Sequence, residues 1–242
     1  MLLKSELKFT KPSSFNDPYD TYPCLIYLKF IPESLRETYV QTNYIELTIQ
    51  QQKELLNNKN DGNIVDSELY PIFINYQNIL NERGITCFSQ IEDNLLMWSH
   101  YSNSHKGVCV GFDLNILCSY LNNVCPKKLT LERIKYTEKF ESIDYFRNPN
   151  KALINLMITK SIDWEYEKEI RILFSHVDFK GDILAFYPFC KEAVNKVLLG
   201  SKMKDDEKLM IIEICKEKYP KAKIFEMELD KNSFNLISRP AI

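Results

Sequence analysis

The chain has 242 residues, room for one large domain or two small ones, and its 45% hydrophobic content is that of a protein with a full apolar core, which excludes a disordered chain. Thirty-one basic and 33 acidic side chains leave a net charge of −2, so no global field draws the protein onto nucleic acid or an anionic membrane. No apolar run approaches the ~18–20 residues of a membrane span, and residues 1–10 mix Leu with Lys and Glu, so a soluble cytoplasmic protein without a leader is expected.

Residues 1–30 predict a short strand around Leu7-Lys8-Phe9, a turn over Pro12-Ser13-Ser14-Phe15-Asn16-Asp17-Pro18-Tyr19-Asp20, and an apolar run at Cys24–Leu28. In the turn, Asn16 and Asp17 can accept from the backbone that follows them, and Pro18 pushes Asp17 out of the helical region. Residues 33–60 and 66–83 predict two helices around Asp61-Gly62-Asn63, an inserted hairpin at about 33–83 in a single domain spanning 1–242. After Gly84 come a strand at Ile85–Ser89, a helix from Asp93 to about Ser102 with an N-cap signal at Asp93-Asn94, and a strand at Val108–Phe112. A strand at Arg133–Tyr136, a helix at Lys151–Ser161, and strands at Tyr166–Ser175, Ile183–Tyr187 and Val194–Leu199 follow. The chain ends in a helix at Asp205–Tyr219, a strand at Lys223–Glu228 and a last strand near 233–238. Strands and helices do not alternate regularly, so the expected class is α+β, with a mixed, mainly antiparallel sheet.

The seven cysteines (Cys24, Cys87, Cys109, Cys118, Cys125, Cys190 and Cys215) are odd in number and contain no Cys-x-x-Cys pair. Cys87, Cys109 and Cys190 sit in apolar runs and read as reduced core residues. Only His100, His105 and His176 could complete a zinc site, and their spacing lacks the finger context, so no metal is expected.

The run Trp164-Glu165-Tyr166-Glu167-Lys168-Glu169-Ile170-Arg171-Ile172-Leu173-Phe174 holds the densest chemistry. As a strand it would place Glu165, Glu167, Glu169 and Arg171 on one face, with Lys168 the misfit on the apolar side. Neighbouring carboxylates roughly 6.6 Å apart would repel by about 2.5 kcal/mol at an effective dielectric of about 20, so each needs a partner, a proton or a cationic ligand. The bland alternative is a solvated face with an Arg–Glu rung across strands.

A second constellation lies on the helix after Ser89, where Trp98, His100 and Tyr101 gather aromatic and imidazole groups, with His105 in the loop that follows. Met97 and Trp98 at this spacing suit a core, whereas His100, Tyr101 and His105 carry polar atoms that need partners. Walker, G-x-S-x-G, G-x-G-x-x-G and H-E-x-x-H signatures are all missing.

These segments, PSSFNDPYD (12–20), TCFS (86–89), NLLMWSHYSNSHKGVCVGFD (94–113), WEYEKEIRI (164–172) and VLLG (197–200), resemble the bacterial family catalogued as Domain of Unknown Function 2971. That family usually begins with a further strand bearing a Tyr-Lys-Tyr-like segment, whereas few residues precede the PSSFNDP turn here. The order of a strand ending in Ser89, aromatics, and a late Glu167-Lys168-Glu169 is in turn similar to ADP-ribosyltransferases. That similarity implies NAD as a substrate, with Glu169 contacting the nicotinamide ribose, Glu167 orienting the acceptor, and Tyr101 or Trp98 stacking on nicotinamide. The sequence therefore leads to an NAD-processing enzyme, an ADP-ribosyltransferase or glycohydrolase of a bacterial toxin or phage-defence system. Its catalytic candidates are Glu167, Glu169, Arg171 and His100, and its ligand-binding candidates Asp17, Asn16, Ser89, Trp98, Tyr101 and His105. The expected partners are a small nucleotide and a protein or nucleic-acid acceptor. Two alternatives stay open: a metal-dependent nuclease or phosphodiesterase using Asp17, Glu167, Glu169 and His100, and a non-catalytic ligand-sensing or interaction module.

Overall fold

The computed structural model describes residues 1–21, 26–27, 41, 45–57, 78–124, 128–141, 143–144 and 148–241. Its strands begin with β1 (Glu6–Thr10), β2 (Ile26–Tyr27), β3 (Gly84–Ser89), β4 (Val108–Phe112), β5 (Leu129–Arg133), β6 (Lys135–Thr137) and β7 (Ile143–Asp144). They continue with β8 (Thr159–Ser161), β9 (Glu169–Phe174), β10 (Leu184–Pro188), β11 (Val194–Leu199), β12 (Lys223–Leu229) and β13 (Leu236–Pro240). The helices are α1 (Ile49–Asn57), α2 (Leu95–Tyr101), α3 (Leu114–Val124), α4 (Pro149–Ile158) and α5 (Asp205–Lys218). The class is α+β, with mixed sheets whose pairings are mainly antiparallel. Most of the hairpin expected at 33–83 lies outside the described residues; within it α1 and residues 78–81 are helical.

The chain forms two compact units. Unit 1 comprises Met1–Thr10, Gly84–Arg133 and Asp163–Ile242, and unit 2 comprises Lys11–Arg83 and Ile134–Ile162. Unit 1 holds a five-stranded sheet, β10-β1-β3-β9-β5, and a four-stranded sheet, β13-β12-β11-β4. Both contribute to one apolar core: Phe9 of β1, Ile172 and Phe174 of β9, and Val194, Val197 and Leu199 of β11 meet Leu117 and Leu121 of α3 and Ile212 and Cys215 of α5. Phe9 stacks on Phe174 at 4.5 Å, and Tyr187 meets both rings edge-on. Leu198, one residue out of phase with Val197 and Leu199, joins a second cluster with Trp98, Met227 and Leu236, which seats α2.

Unit 2 pairs β2 with β7 and β6 with β8, both in parallel. Helix α4 connects the strands towards β8, starting where Asn148 accepts from the Lys151 N–H and Pro149 fills the first helical position.

Several sequence expectations shift at their boundaries. The strand expected at Arg133–Tyr136 is two strands, β5 and β6, broken at the buried Ile134. The helix expected at Lys151–Ser161 stops at Ile158, and Thr159–Ser161 becomes β8 through its pairing with β6. The last strand lies at Leu236–Pro240 rather than 233–238, because the chain first turns through Asp230–Asn235. Helix α3 was not foreseen, although Asp113 accepts from the Asn115 and Ile116 N–H groups at its start, and Leu117 and Leu121 repeat at helical spacing. Cys87, read as a core residue, is exposed, and the five described cysteines are free thiols.

Candidate functional site

The charged run is not one strand. Residues Ile162–Glu167 form a 3-10 turn, Lys168 takes a left-handed φ of 45°, and β9 begins only at Glu169. Lys168, the residue out of step with the alternation, is thus where the backbone changes hand. The turn is closed by the Lys168 N–H donating to the Glu165 carbonyl, and Gln90 N–H donates to the Lys168 carbonyl. The expected shared face therefore holds for Glu169 and Arg171 and fails for Glu165 and Glu167.

Each carboxylate has its own compensation. Glu165 is exposed and pairs with Lys168 Nζ at 2.9 Å. Glu169 is 5% exposed and Arg171 1%, and the two form a forked pair: Nε donates to Oε1 at 2.7 Å and Nη2 to Oε2 at 3.2 Å. Glu167, 3% exposed, accepts at Oε1 from the Tyr101 hydroxyl at 2.6 Å. Its carbonyl accepts from Ser89 Oγ at 2.7 Å, while Ser89 Oγ itself accepts from the Ile91 N–H. The registers put Ser89 opposite Glu169 and Cys87 and Glu132 opposite Arg171, so these five residues share the sheet face away from the apolar core.

Helix α2 brings Tyr101 to this place. Asn94 caps it, accepting from the Leu96 and Met97 N–H groups, and Trp98 anchors it with a buried ring whose Nε1–H donates to the Glu92 carbonyl at 2.7 Å. Glu92 in turn takes both oxygens to Lys196 Nζ, at 2.9 and 2.8 Å. Trp98 is thus taken up by packing. Tyr101 is 52% exposed, and the exposed His100 meets its ring edge-on.

His105 sits in the loop expected of it, yet it is buried rather than displayed. Asn103, Ser104 and His105 are all left-handed, with φ of 49°, 56° and 69°, a costly conformation for residues with a Cβ. The His105 N–H donates to the Trp98 carbonyl, and the Gly107 N–H to the Ser102 carbonyl. Lys202 N–H donates to the His105 carbonyl. A Cβ at Gly200 would fall 2.1 Å from that carbonyl oxygen, so only glycine fits there. Nε2 of His105 bonds Ser99 Oγ at 3.0 Å, while its buried Nδ1 finds no hydrogen-bond partner among the described residues. Burial, and then the charge of Lys202, hold the imidazole below its usual pKa. Sequence reasoning gave no site role to Glu92, Ser99, Lys196 or Gly200, although Ser99 and Gly200 lie in segments that carry the family resemblance.

Asn16 and Asp17 belong to unit 2. Asp17 forms the expected Asx turn, Oδ1 accepting from the Tyr19 N–H at 2.9 Å, and its buried Oδ2 has no partner among the described residues. Among the described residues no group of three or more His, Cys, Asp or Glu side chains is arranged to hold a metal ion, and no helix is long and apolar enough to cross a membrane.

Residues 97–172 match the family described as "Protein of unknown function (DUF2971)". The matched stretch carries His100, Tyr101, His105, Glu167, Glu169 and Arg171, and leaves out Asn16, Asp17 and Ser89. No curated protein and no solved structure matches the chain. Over residues 97–172 the chain is thus similar to the DUF2971 family, the one its sequence resembles.

Proposed function

We propose that unit 1 cleaves the nicotinamide–ribose bond of NAD, acting as a glycohydrolase or an ADP-ribosyltransferase. The supporting observation is the 2.6 Å hydrogen bond from the half-exposed Tyr101 to the buried Glu167 carboxylate. In this reaction the C1′–N1 bond breaks, its electron pair leaves with nicotinamide as a neutral base, and positive charge develops on the ribose. A fixed carboxylate beside that charge lowers the barrier, because it is oriented before the charge appears. Water or an acceptor nucleophile then bonds to C1′ and gives its proton to the carboxylate.

Glu167 suits this role better than Glu169, whose two oxygens are already held by the Arg171 fork. Tyr101 caps Glu167; swung outward, its ring stacks on nicotinamide and uncovers the carboxylate. Glu169 and Arg171 act as positioning residues that fix the start of β9, and Ser89 holds the Glu167 main chain. A metal-dependent nuclease would require Glu169 to leave Arg171, which makes it the poorer reading. NAD consumption of this kind fits a toxin or phage-defence effector, with water, protein or nucleic acid as acceptor.

The test is nicotinamide release from NAD, followed by chromatography, for the wild type, Glu167→Gln and Tyr101→Phe. Release by the wild type, with a loss of about 100-fold or more in Glu167→Gln, is the expected result. A wild type that releases none, with or without added acceptors, refutes the reading.

A further inference from the structure

Helix α2 ends in a segment held in a backbone geometry that its own residues oppose. Asn103, Ser104 and His105 all have left-handed φ, and none is glycine. Asn and His visit that region more readily than Ser, so the exposed Ser104 carries the most strain. We infer that Ser102–Gly107 is a latch whose release, on protonation of His105, frees the end of α2 and uncovers Glu167. The inference rests on the NAD reading only for the chemistry that the uncovered carboxylate performs.

Three sets of bonds hold the latch closed. Within the segment, the Lys106 and Gly107 N–H groups both donate to the Ser102 carbonyl, at 3.0 and 2.7 Å. Towards α2, the His105 N–H and Ser102 Oγ both donate to the Trp98 carbonyl, and His105 Nε2 bonds Ser99 Oγ. Towards the segment after β11, the His105 carbonyl accepts from the Lys202 N–H and the Gly107 carbonyl from the Gly200 N–H, each at 2.9 Å. The main chain of His105 is thus tied on both sides, so its buried ring reaches water only if the segment moves with it.

Protonation favours that movement. In the charged ring both nitrogens are donors. Ser99 Oγ can accept from Nε2–H, but the buried Nδ1 has no hydrogen-bond partner among the described residues. The ring faces α2 through Ser99 and the segment after β11 through Lys202, whose positive charge is, among the described residues, the one that acts on it. The other titratable groups nearby in the chain, His100 and Tyr101 on α2, Lys106 beside the ring and Lys204 after β11, are exposed. An imidazolium here is a buried cation beside a cation, with one N–H left over, whereas in the open segment water solvates it. Protons therefore favour the open segment, increasingly as pH falls below about 6.5.

The effect reaches the site through chain order. Tyr101 is the last residue of α2 and Ser102 its C-cap, so opening removes the bonds to Trp98 that close the carboxyl end of the helix. Tyr101 then loses its fixed place, and with it the 2.6 Å bond that lays its hydroxyl on the buried Glu167. The Asn94 cap and the Trp98 ring hold the start of the helix throughout, so the motion is confined to its end.

Amide hydrogen exchange of the full chain, read by mass spectrometry at pH 7.5 and pH 5 and corrected for the intrinsic rate, tests the latch. Protection of residues 102–107 is expected to fall about fivefold or more on acidification, while the β9 amides stay unexchanged on the same timescale. In His105→Gln, which takes up no proton, the change should be below about twofold. Ser104→Gly, at an exposed position where glycine accepts the left-handed backbone, should slow exchange at both pH values by about twofold or more. Uncovering is read separately, as carbodiimide coupling of Glu167 to glycine ethyl ester at pH 5, expected about fivefold faster in the wild type than in His105→Gln. The proposal is overturned by protection that does not change with pH, by an equal fall in His105→Gln, by β9 exchanging together with the segment, by exchange in Ser104→Gly no slower than in the wild type, or by equal coupling of Glu167 in the two proteins. Neither readout involves NAD: a latch that opens without nicotinamide release refutes the reading of unit 1 alone, and release without opening refutes the latch alone.

Discussion

The 3-10 turn and the strand that follows it carry carboxylates four residues apart, and they treat them in opposite ways. Glu165 stays in water and is matched by an equally exposed lysine; Glu169 is buried and matched by an arginine fork. Glu167 lies between them in sequence, buried like Glu169 yet held by a neutral phenol. Crowding of like charge is thus relieved locally and separately, by solvent, by a cation and by a hydrogen bond. Glu167 is the carboxylate that the half-exposed Tyr101 hydroxyl links to the surface.

Substitutions can break or sharpen that contrast. The largest effect is expected from Glu169→Gln, which leaves the Arg171 charge buried without its fork and costs about 3–5 kcal/mol, measured by urea denaturation. Adding Arg171→Met should recover much of that loss, and a double variant no better than the single one would show that the pair itself is not what the site depends on. Tyr101→Phe should cost about 1 kcal/mol, less than the ~1.5–3 kcal/mol of a hydrogen bond to a charged group, because the phenol is half exposed.

His105 adds a buried group without a formal charge. Its folded pKa lies below the unfolded value of about 6.5, so between the two the unfolded chain binds more protons and stability rises with pH. Stability is therefore lost as pH falls through about 6.5 and levels off below the folded value. Denaturation of the wild type and His105→Gln from pH 5 to 8 should show a steeper slope in the wild type, and equal slopes would refute the burial argument. The smallest effect belongs to Glu165→Gln, which should change stability by less than about 0.5 kcal/mol.

Much of this was legible in the sequence where pattern and boundary agree. Strand β4 is an apolar run entered from Gly107, and β11 ends in the apolar Val197-Leu198-Leu199 before Gly200; the limits of both match the sequence expectation. The Asx turn at Asp17 and the cap at Asn94 follow from side chains that can reach only a few residues. The charged run misled because alternation of apolar and acidic residues persists through Glu167, while the break depends on Lys168 adopting a left-handed backbone that no glycine announces. Long-range consequences were invisible: nothing local joins Ser89 to Glu167, Tyr101 to Glu167, or Gly200 to the carbonyl of His105.

Strand β13 lies at the edge of its sheet, five residues long, with Pro240 opposite Phe225 and Arg239 opposite Glu228's neighbour Glu226. Proline offers no amide to an incoming chain, and the exposed guanidinium of Arg239, paired with Glu228, would have to be stripped of water to admit one. That border is consequently guarded against lateral growth, so crowding at high protein concentration should not recruit this sheet into intermolecular ribbons.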